Sequence, residues 1–235
     1  MSVILGPSLL SKPIVFYIDT QNSKSFDTYN RNFKDLTGKY DFTATGGTWS
    51  TGSPTASFKF VPTGYLTSDT QFTYNSQTLT VVMWIKMPRD NTTDQTILNG
   101  GAQSTTEGYM NIQRLGNSDL ISYQYRTFTF QNDFNGAFVP IFTGFDNVWI
   151  NVCIVADYLN KTVKFYRNGV QFDTTQTMIG TPSAPTNPKT HYIGSSNGQN
   201  PNKGEFVTMC VYSRALTNTE ILNNYNSQRT RIGLS

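Results

Sequence analysis

Trp149 to Phe172 reads WINVCIVADYLNKTVKFYRNGVQF, and this stretch decides the fold. Trp149 to Ala156 is a continuous apolar, β-branched run of strand length, the composition of a central strand buried on both faces. Asp157-Tyr158-Leu159-Asn160 follows as a turn, and Thr162 to Arg167 resumes as a strand. Asn168-Gly169 then supplies a two-residue type I′ turn, in which both residues take positive φ, and Val170-Gln171-Phe172 runs back. A buried strand followed by a tight hairpin is the grammar of an antiparallel sheet.

The same grammar extends in both directions. Ile14 to Ile18 is a short apolar run between Pro13 and Asp19, and Ser57 to Val61 alternates with period two. Leu79 to Met87 (LTVVMWIKM) is β-branched and aromatic, and Pro88 ends it. Tyr109 to Gln113, Leu120 to Phe130, His191 to Gly194 and Phe206 to Tyr212 complete the strand candidates. Gly180 to Lys189, with Pro182, Pro185 and Pro188, reads as an extended loop. One helix is predicted: Thr217-Asn218-Thr219-Glu220 is a capping box ahead of Ile221, Leu222 and Tyr225. Many short strands and one short helix predict an all-β fold. It is a two-sheet antiparallel jelly-roll sandwich closed by a C-terminal helix, in one domain spanning residues 1–235.

Composition narrows the function classes. The 235 residues carry 18 Lys+Arg against 15 Asp+Glu, with 14% charged and 14% aromatic residues. Ordinary soluble domains carry about 25% charged residues, so the chain is charge-poor and aromatic-rich, which argues against long disorder. A net charge of +3 without a Lys/Arg cluster gives no nucleic-acid stripe. No window has the ~18 uninterrupted apolar residues of a transmembrane helix, so no membrane partner is expected. MSVILGPSLL lacks the basic and long apolar regions of a secretion signal. The sequons at Asn91 and Asn160 matter only in a secretory route, which this N-terminus does not lead one to expect.

The order of the segments resembles the concanavalin A-like lectin/glucanase superfamily, in particular its laminin G-like jelly-roll branch. VFYIDTQNSKSF with FKDLTGKYDFTATGGTW, then LTVVMWIKM, then the Trp149–Phe172 hairpin, then YIGSSNGQN with KGEFVTMCVYSRALTNTEILNNYNSQRTRIG carry the likeness. The opening and the NYNSQRTRIG tail are most similar to variants in tailed-phage and other virus structural proteins. Glucanase members use an E-x-D-x-x-E carboxylate set, because the chemistry needs two acids a few ångströms apart. The three glutamates here, Glu107, Glu205 and Glu220, have no such neighbours, and no catalytic residue is assigned. At positions matching the family's metal-binding acids stand Val61, Thr63, Gly64, Val207 and Thr208, so no metal and no cofactor is expected there. Asp19 and Asp94 are left as the acids for a cation elsewhere.

His191, the one histidine, lacks a nearby Cys or acid for a triad or zinc site. Cys153 and Cys210 sit in apolar runs as packed thiols. Trp84 and Trp149 read as core, while Trp49, in TGGTWSTGS, is the freest indole for sugar stacking. Ile121, Tyr123 and Tyr125 share one face of their strand, and with Phe128 and Phe130 they exceed what one core face needs. The strand then either packs in the core, exposes a ring row or joins a neighbouring subunit. Amides at Asn197, Gln199 and Asn200 can hydrogen-bond sugar hydroxyls, or simply form a solvated turn.

These readings set the expectation of a non-enzymatic virion structural protein, a capsid decoration or tail or fibre component. It acts on the virion exterior, or is otherwise extracellular, and adheres to surface glycans. The expected glycan contacts are Trp49, Tyr123, Tyr125, Asn197, Gln199 and Asn200. Other virion proteins are expected partners, and repeated copies or a homo-oligomer supply avidity. The alternatives are a purely structural protein-interaction module and, last, a glucanase-like hydrolase.

Overall fold

The computed structural model describes residues 13–27, 32–51, 56–100, 110–126, 134–180, 182 and 188–233. In chain order the strands are β1 (Ile14–Asp19), β2 (Phe26–Asp27), β3 (Asn32–Phe33), β4 (Phe42–Thr45), β5 (Thr48–Ser50), β6 (Ser57–Lys59), β7 (Tyr65–Ser68), β8 (Thr78–Lys86) and β9 (Gln95–Gly100). There follow β10 (Met110–Arg114), β11 (Ile121–Arg126), β12 (Phe134–Val139), β13 (Trp149–Asp157), β14 (Thr162–Arg167), β15 (Val170–Thr177), β16 (His191–Ile193) and β17 (Glu205–Tyr212), then helix α1 (Asn218–Arg231).

They build two antiparallel sheets. One has eight strands in the order β15-β14-β13-β8-β17-β6-β5, with β1 sharing the far edge of β17. The other has nine, in the order β12-β11-β10-β9-β16-β7-β4-β3-β2. The predicted sandwich with a C-terminal helix is the observed architecture. Asn168 (φ 51°) and Gly169 (φ 81°) form the predicted hairpin turn, which places Arg167 opposite Val170. The capping box is present too: Thr217 accepts from the Glu220 amide, and the Glu220 carboxylate accepts from the Thr217 amide.

The two sheets differ in how many faces they bury. In the eight-stranded sheet Leu79, Val81, Met83 and Ile85 of β8 point into the sandwich, with Ile150, Val152, Ile154 and Ala156 of β13. The alternate residues Val82, Cys153 and Cys210 face outward into a second apolar cluster with Leu216 and Ile221. Trp84 and Val207 meet Ile232 under α1, and Tyr225 stacks on Trp84 at 5.7 Å. Both faces are covered, which is why these strands read as unbroken apolar runs. In the nine-stranded sheet one face is core (Met110, Ile112, Ile121, Tyr123, Tyr125) and the alternate residues are polar.

Candidate functional site on the outer face of the nine-stranded sheet

The strand register assembles the polar alternates into rows. Gly136 lies opposite Gln124, Gln124 opposite Asn111, Asn111 opposite Asn99, and Asn99 opposite Tyr192. Thr67 and Thr43 continue the row beyond Tyr192. A second row holds Phe138, Ser122, Gln113 and Thr96, with a bulge in β9 restoring Thr96 to the outer side.

The amides bond to one another. Asn99 Nδ2 donates to Asn111 Oδ1 at 3.4 Å; Asn111 Nδ2 donates to Gln113 Oε1 at 2.7 Å and Gln124 Oε1 at 3.1 Å. Gln113 Nε2 donates to Asp94 Oδ2 at 3.1 Å, and the Gly116 amide fixes the other Asp94 oxygen at 2.9 Å. Asn99, Asn111, Gln113, Ser122 and Thr96 are all buried, while Gln124 is half-buried. Two buried atoms of this face, Asn99 Oδ1 and Thr96 Oγ1, have no hydrogen-bond partner among the described residues. A buried polar atom left unmatched costs about 1–3 kcal/mol, so such atoms call for a physical reason.

Aromatic rings stand at both ends. Phe138, 46% exposed, lies over Gly136: a Cβ there would stand 2.6 Å from its Cζ. The glycine thus leaves room for the ring to lie beside Gln124. At the other end the half-buried Tyr192 and Tyr65 rings meet edge-on at 6.1 Å. Burial, with Tyr65 beside it, raises the Tyr192 phenol above its ordinary pKa, so it stays a neutral donor and acceptor. The half-buried Gln124 amide donor, the neutral Tyr192 hydroxyl and the flanking rings suit a neutral polyhydroxylated ligand.

The six residues singled out in the sequence do not form this site. Tyr123 and Tyr125 are 0% and 1% exposed, which corrects their assignment as glycan contacts. Tyr123 Oη lies 2.6 Å from Tyr158 Oη, and Tyr125 Oη accepts from the Ile179 amide at 2.6 Å. They belong to this chain's own core, so the expected ring row and the subunit-interface reading both fail for them; Phe128 and Phe130 lie outside the described residues. Their polar alternates, Ser122 and Gln124, are the ones that face outward.

Trp49 is half-buried on β5, at the opposite sheet's edge, with Phe26 stacked on it at 4.5 Å. Asn197 (φ 52°) and Gly198 (φ 81°) form a tight turn closed by bonds between Ser196 and Gln199. There the Asn197 and Gln199 side chains are exposed and Asn200 is half-buried. The Asn200 carbonyl accepts from the Thr96 amide at 2.9 Å, which holds this loop against the start of β9. Phe138, Gln124, Asn111 and Asn99 were not read from the sequence as site residues. The available signal was the period-two placement of amides in MNIQR and ISYQYR.

The other candidates resolve into structural roles. Glu205 pairs with Lys86 at 2.8 Å and accepts from Ser57 at 2.6 Å. Burial alone would raise its pKa, but these bonds outweigh it and the net shift is downward. Glu220 serves the helix cap and pairs with Arg214 at 2.7 Å, while Glu107 lies outside the described residues. Asp19 pairs with Arg231 at 2.9 Å, and Asp94 is engaged as above. Among the described residues no cluster of three His, Cys, Asp or Glu is placed to hold a metal. His191 is buried, stacked on Phe72 at 3.7 Å, and burial lowers its pKa to about 3. Cys153 and Cys210 are buried free thiols whose pKa values are raised by burial.

A laminin G-type family model, described as the concanavalin A-like lectin/glucanases superfamily, matches residues 62–222. Among solved structures the chain is similar to the botulinum neurotoxin serotype D binding domain (TM-score 0.71, 16% identity, 93% of this chain and 53% of that chain). It is also similar to the receptor binding domain of the botulinum neurotoxin C/D mosaic serotype (TM-score 0.69, 16% identity, 93% and 52%). A third is the serotype D ligand binding domain in complex with N-acetylneuraminic acid (TM-score 0.67, 16% identity, 93% and 52%). The chain spans about half the length of these structures, and at such identities the likeness is one of fold. No curated protein matches it.

Proposed function

We propose that this chain, which belongs to the concanavalin A-like lectin/glucanases superfamily, is a non-enzymatic recognition module. It binds a neutral oligosaccharide along the outer face of its nine-stranded sheet. The observation that carries this reading is the exposed Phe138 ring laid over Gly136, at the head of a buried amide row that ends in the unmatched Asn99 Oδ1. From β12 to β16 there are four strand spacings of about 4.8 Å, roughly 19 Å in all, which suits an oligosaccharide better than a single sugar ring. Glycan recognition by this kind of scaffold is supported by the similar neurotoxin domain solved with N-acetylneuraminic acid. The structural commitments of Glu205 and Glu220 favour binding over hydrolysis.

Its place is the exterior of a virion, as a capsid decoration or a tail or fibre component in repeated copies. The support for that is the resemblance of the opening and closing segments to virus structural proteins. Repetition turns weak sugar contacts into useful avidity. A glycan array probed with the protein tethered on a multivalent carrier tests the reading. Binding should favour neutral oligosaccharides and strengthen with chain length. Blank arrays, or equal binding of monosaccharide and oligosaccharide, would sink it.

A further inference from the structure

We propose that a second binding site, for a monosaccharide-sized sugar acid, lies on the opposite sheet, beside helix α1. There β13, β14 and the segment leading into α1 enclose a cavity of about 280 Å³. This is just below the ~300–1,000 Å³ of drug-sized ligand pockets, a fit for one small polar ring.

Register explains the walls. Val155 lies opposite Lys164 and Asp157 opposite Thr162, on the outward face of the eight-stranded sheet. The roof is Ala215 to Asn218. It is tied down at three points: Leu216 N donates to Thr80 Oγ1 at 3.0 Å, Thr80 Oγ1 to the Arg214 carbonyl at 2.8 Å, and Tyr166 Oη to Asn218 Oδ1 at 2.8 Å. A cavity with fixed walls binds without paying to order them.

The lining specifies the ligand. Lys164 is half-buried and its ammonium has no hydrogen-bond or ion-pair partner among the described residues, so it can receive a carboxylate. Asn218, whose oxygen is held by Tyr166, keeps its NH2 group free to donate. Asp157 accepts from Asn160 N at 2.9 Å and Asn160 Nδ2 at 2.7 Å, and its remaining lone pairs can accept hydroxyl donors. Val155 on the sheet side and Leu216 on the roof give the ring apolar contact. One cation facing one carboxylate disfavours a doubly charged phosphate and suits a single carboxylate on a polyhydroxylated body. A bare anion leaves Asp157 and the apolar contact unused.

This site is independent of the amide row, and the experiment keeps them apart. Amide chemical shifts of the whole protein are followed while D-glucuronate, D-glucose or acetate is added at constant ionic strength. Glucuronate should give saturable shifts around Lys164 and Asn218, with glucose and acetate much weaker. Lys164→Met should lower glucuronate affinity about tenfold or more, as loss of a charge-assisted hydrogen bond does. Lys164→Arg should retain binding, which guards against a folding defect in the first variant. Phe138→Ala should leave glucuronate binding unchanged. Absence of saturable shifts, full affinity in Lys164→Met, or acetate binding as tightly as glucuronate would each overturn the proposal.

Discussion

Replacing Gly136 by Ala is the sharpest probe of the outer face. The new Cβ would stand 2.6 Å from Phe138 Cζ and 2.8 Å from its Cε2. Carbon contacts settle near 3.5–4.0 Å, so the ring must swing away by about an ångström. The ring is exposed, and among the described residues β12 is an edge strand that pairs with β11, so the ring can swing toward solvent. Gly136 does not occupy the positive-φ region, so alanine fits its backbone. The substitution should leave stability unchanged or raise it by about 0.4–1 kcal/mol through the unfolded chain.

Losing the stacked ring should cost oligosaccharide binding about 1–2 kcal/mol, from a stacking preference of about 0.5–1.5 kcal/mol and the apolar area beneath the sugar. That is roughly a 5- to 30-fold rise in Kd. Phe138→Ala should cost the same, and the double variant no more than either, since both remove one ring from one place. Calorimetric titration with the best array ligand gives the three affinities, and thermal melting gives the stabilities. Wild-type affinity in Gly136→Ala, or losses that multiply in the double variant, would refute the platform argument.

The core residues give contrasting outcomes. Tyr123→Phe removes one partner of the 2.6 Å hydroxyl pair and strands the buried Tyr158 hydroxyl, at a cost of about 1–2 kcal/mol in urea unfolding. Sugar affinity should not move; a loss as large as that of Phe138→Ala would put Tyr123 on the ligand surface after all. His191 predicts an acid limb. Its folded pKa of about 3 lies below the ordinary 6.5, so the unfolded chain takes the proton first. The stability this neutral ring supplies is complete above pH 6.5 and drains as pH falls toward 3. Between pH 7 and 5 the loss is about 2 kcal/mol. His191→Phe, which keeps a flat ring against Phe72, should flatten that interval, and parallel stability curves would count against the assignment.

The sheet buried on both faces was legible because its chemistry is local. LTVVMWIKM and WINVCIVA read as strands without knowledge of their neighbours, as do the Asn168-Gly169 turn and the Thr217–Glu220 cap. β9 and β12 escaped the reading for an equally local reason: Asn99 with Gly100, and Asn135 with Gly136, look like turn punctuation. Lateral register, which no local pattern carries, makes them strands. The same limit hid the site. In ISYQYR the alternation was visible, but it does not say which of its two faces is core. Adding Phe128 and Phe130 to the count drew the choice toward an exposed ring row. The amides at Gln124, Asn111 and Asn99 become a row only when β9, β10 and β11 lie side by side.

That row also has a direction, and the direction bears on what it recognises. Asp94 can only accept, and the Gly116 amide holds one of its oxygens. Gln113 must therefore turn its NH2 group toward Asp94, which leaves Gln113 Oε1 to accept from Asn111. Asn111 in turn presents its oxygen to the Asn99 NH2 group. Each amide is oriented by the next, and the last acceptor, Asn99 Oδ1, is left without a donor among the described residues. An aliphatic ladder in these positions would bury as well without that cost. Retaining the amides makes sense where they hold the Gln124 oxygen and so turn its NH2 group, beside Phe138, out to donate to a ligand hydroxyl. With α1 and its apolar clusters covering the other sheet, the nine-stranded sheet keeps an outer face that is both polar and oriented. A carboxylate beside β9 thus fixes, through Gln113 and Asn111 on β10, the hydrogen-bonding sense that Gln124 on β11 offers the ligand.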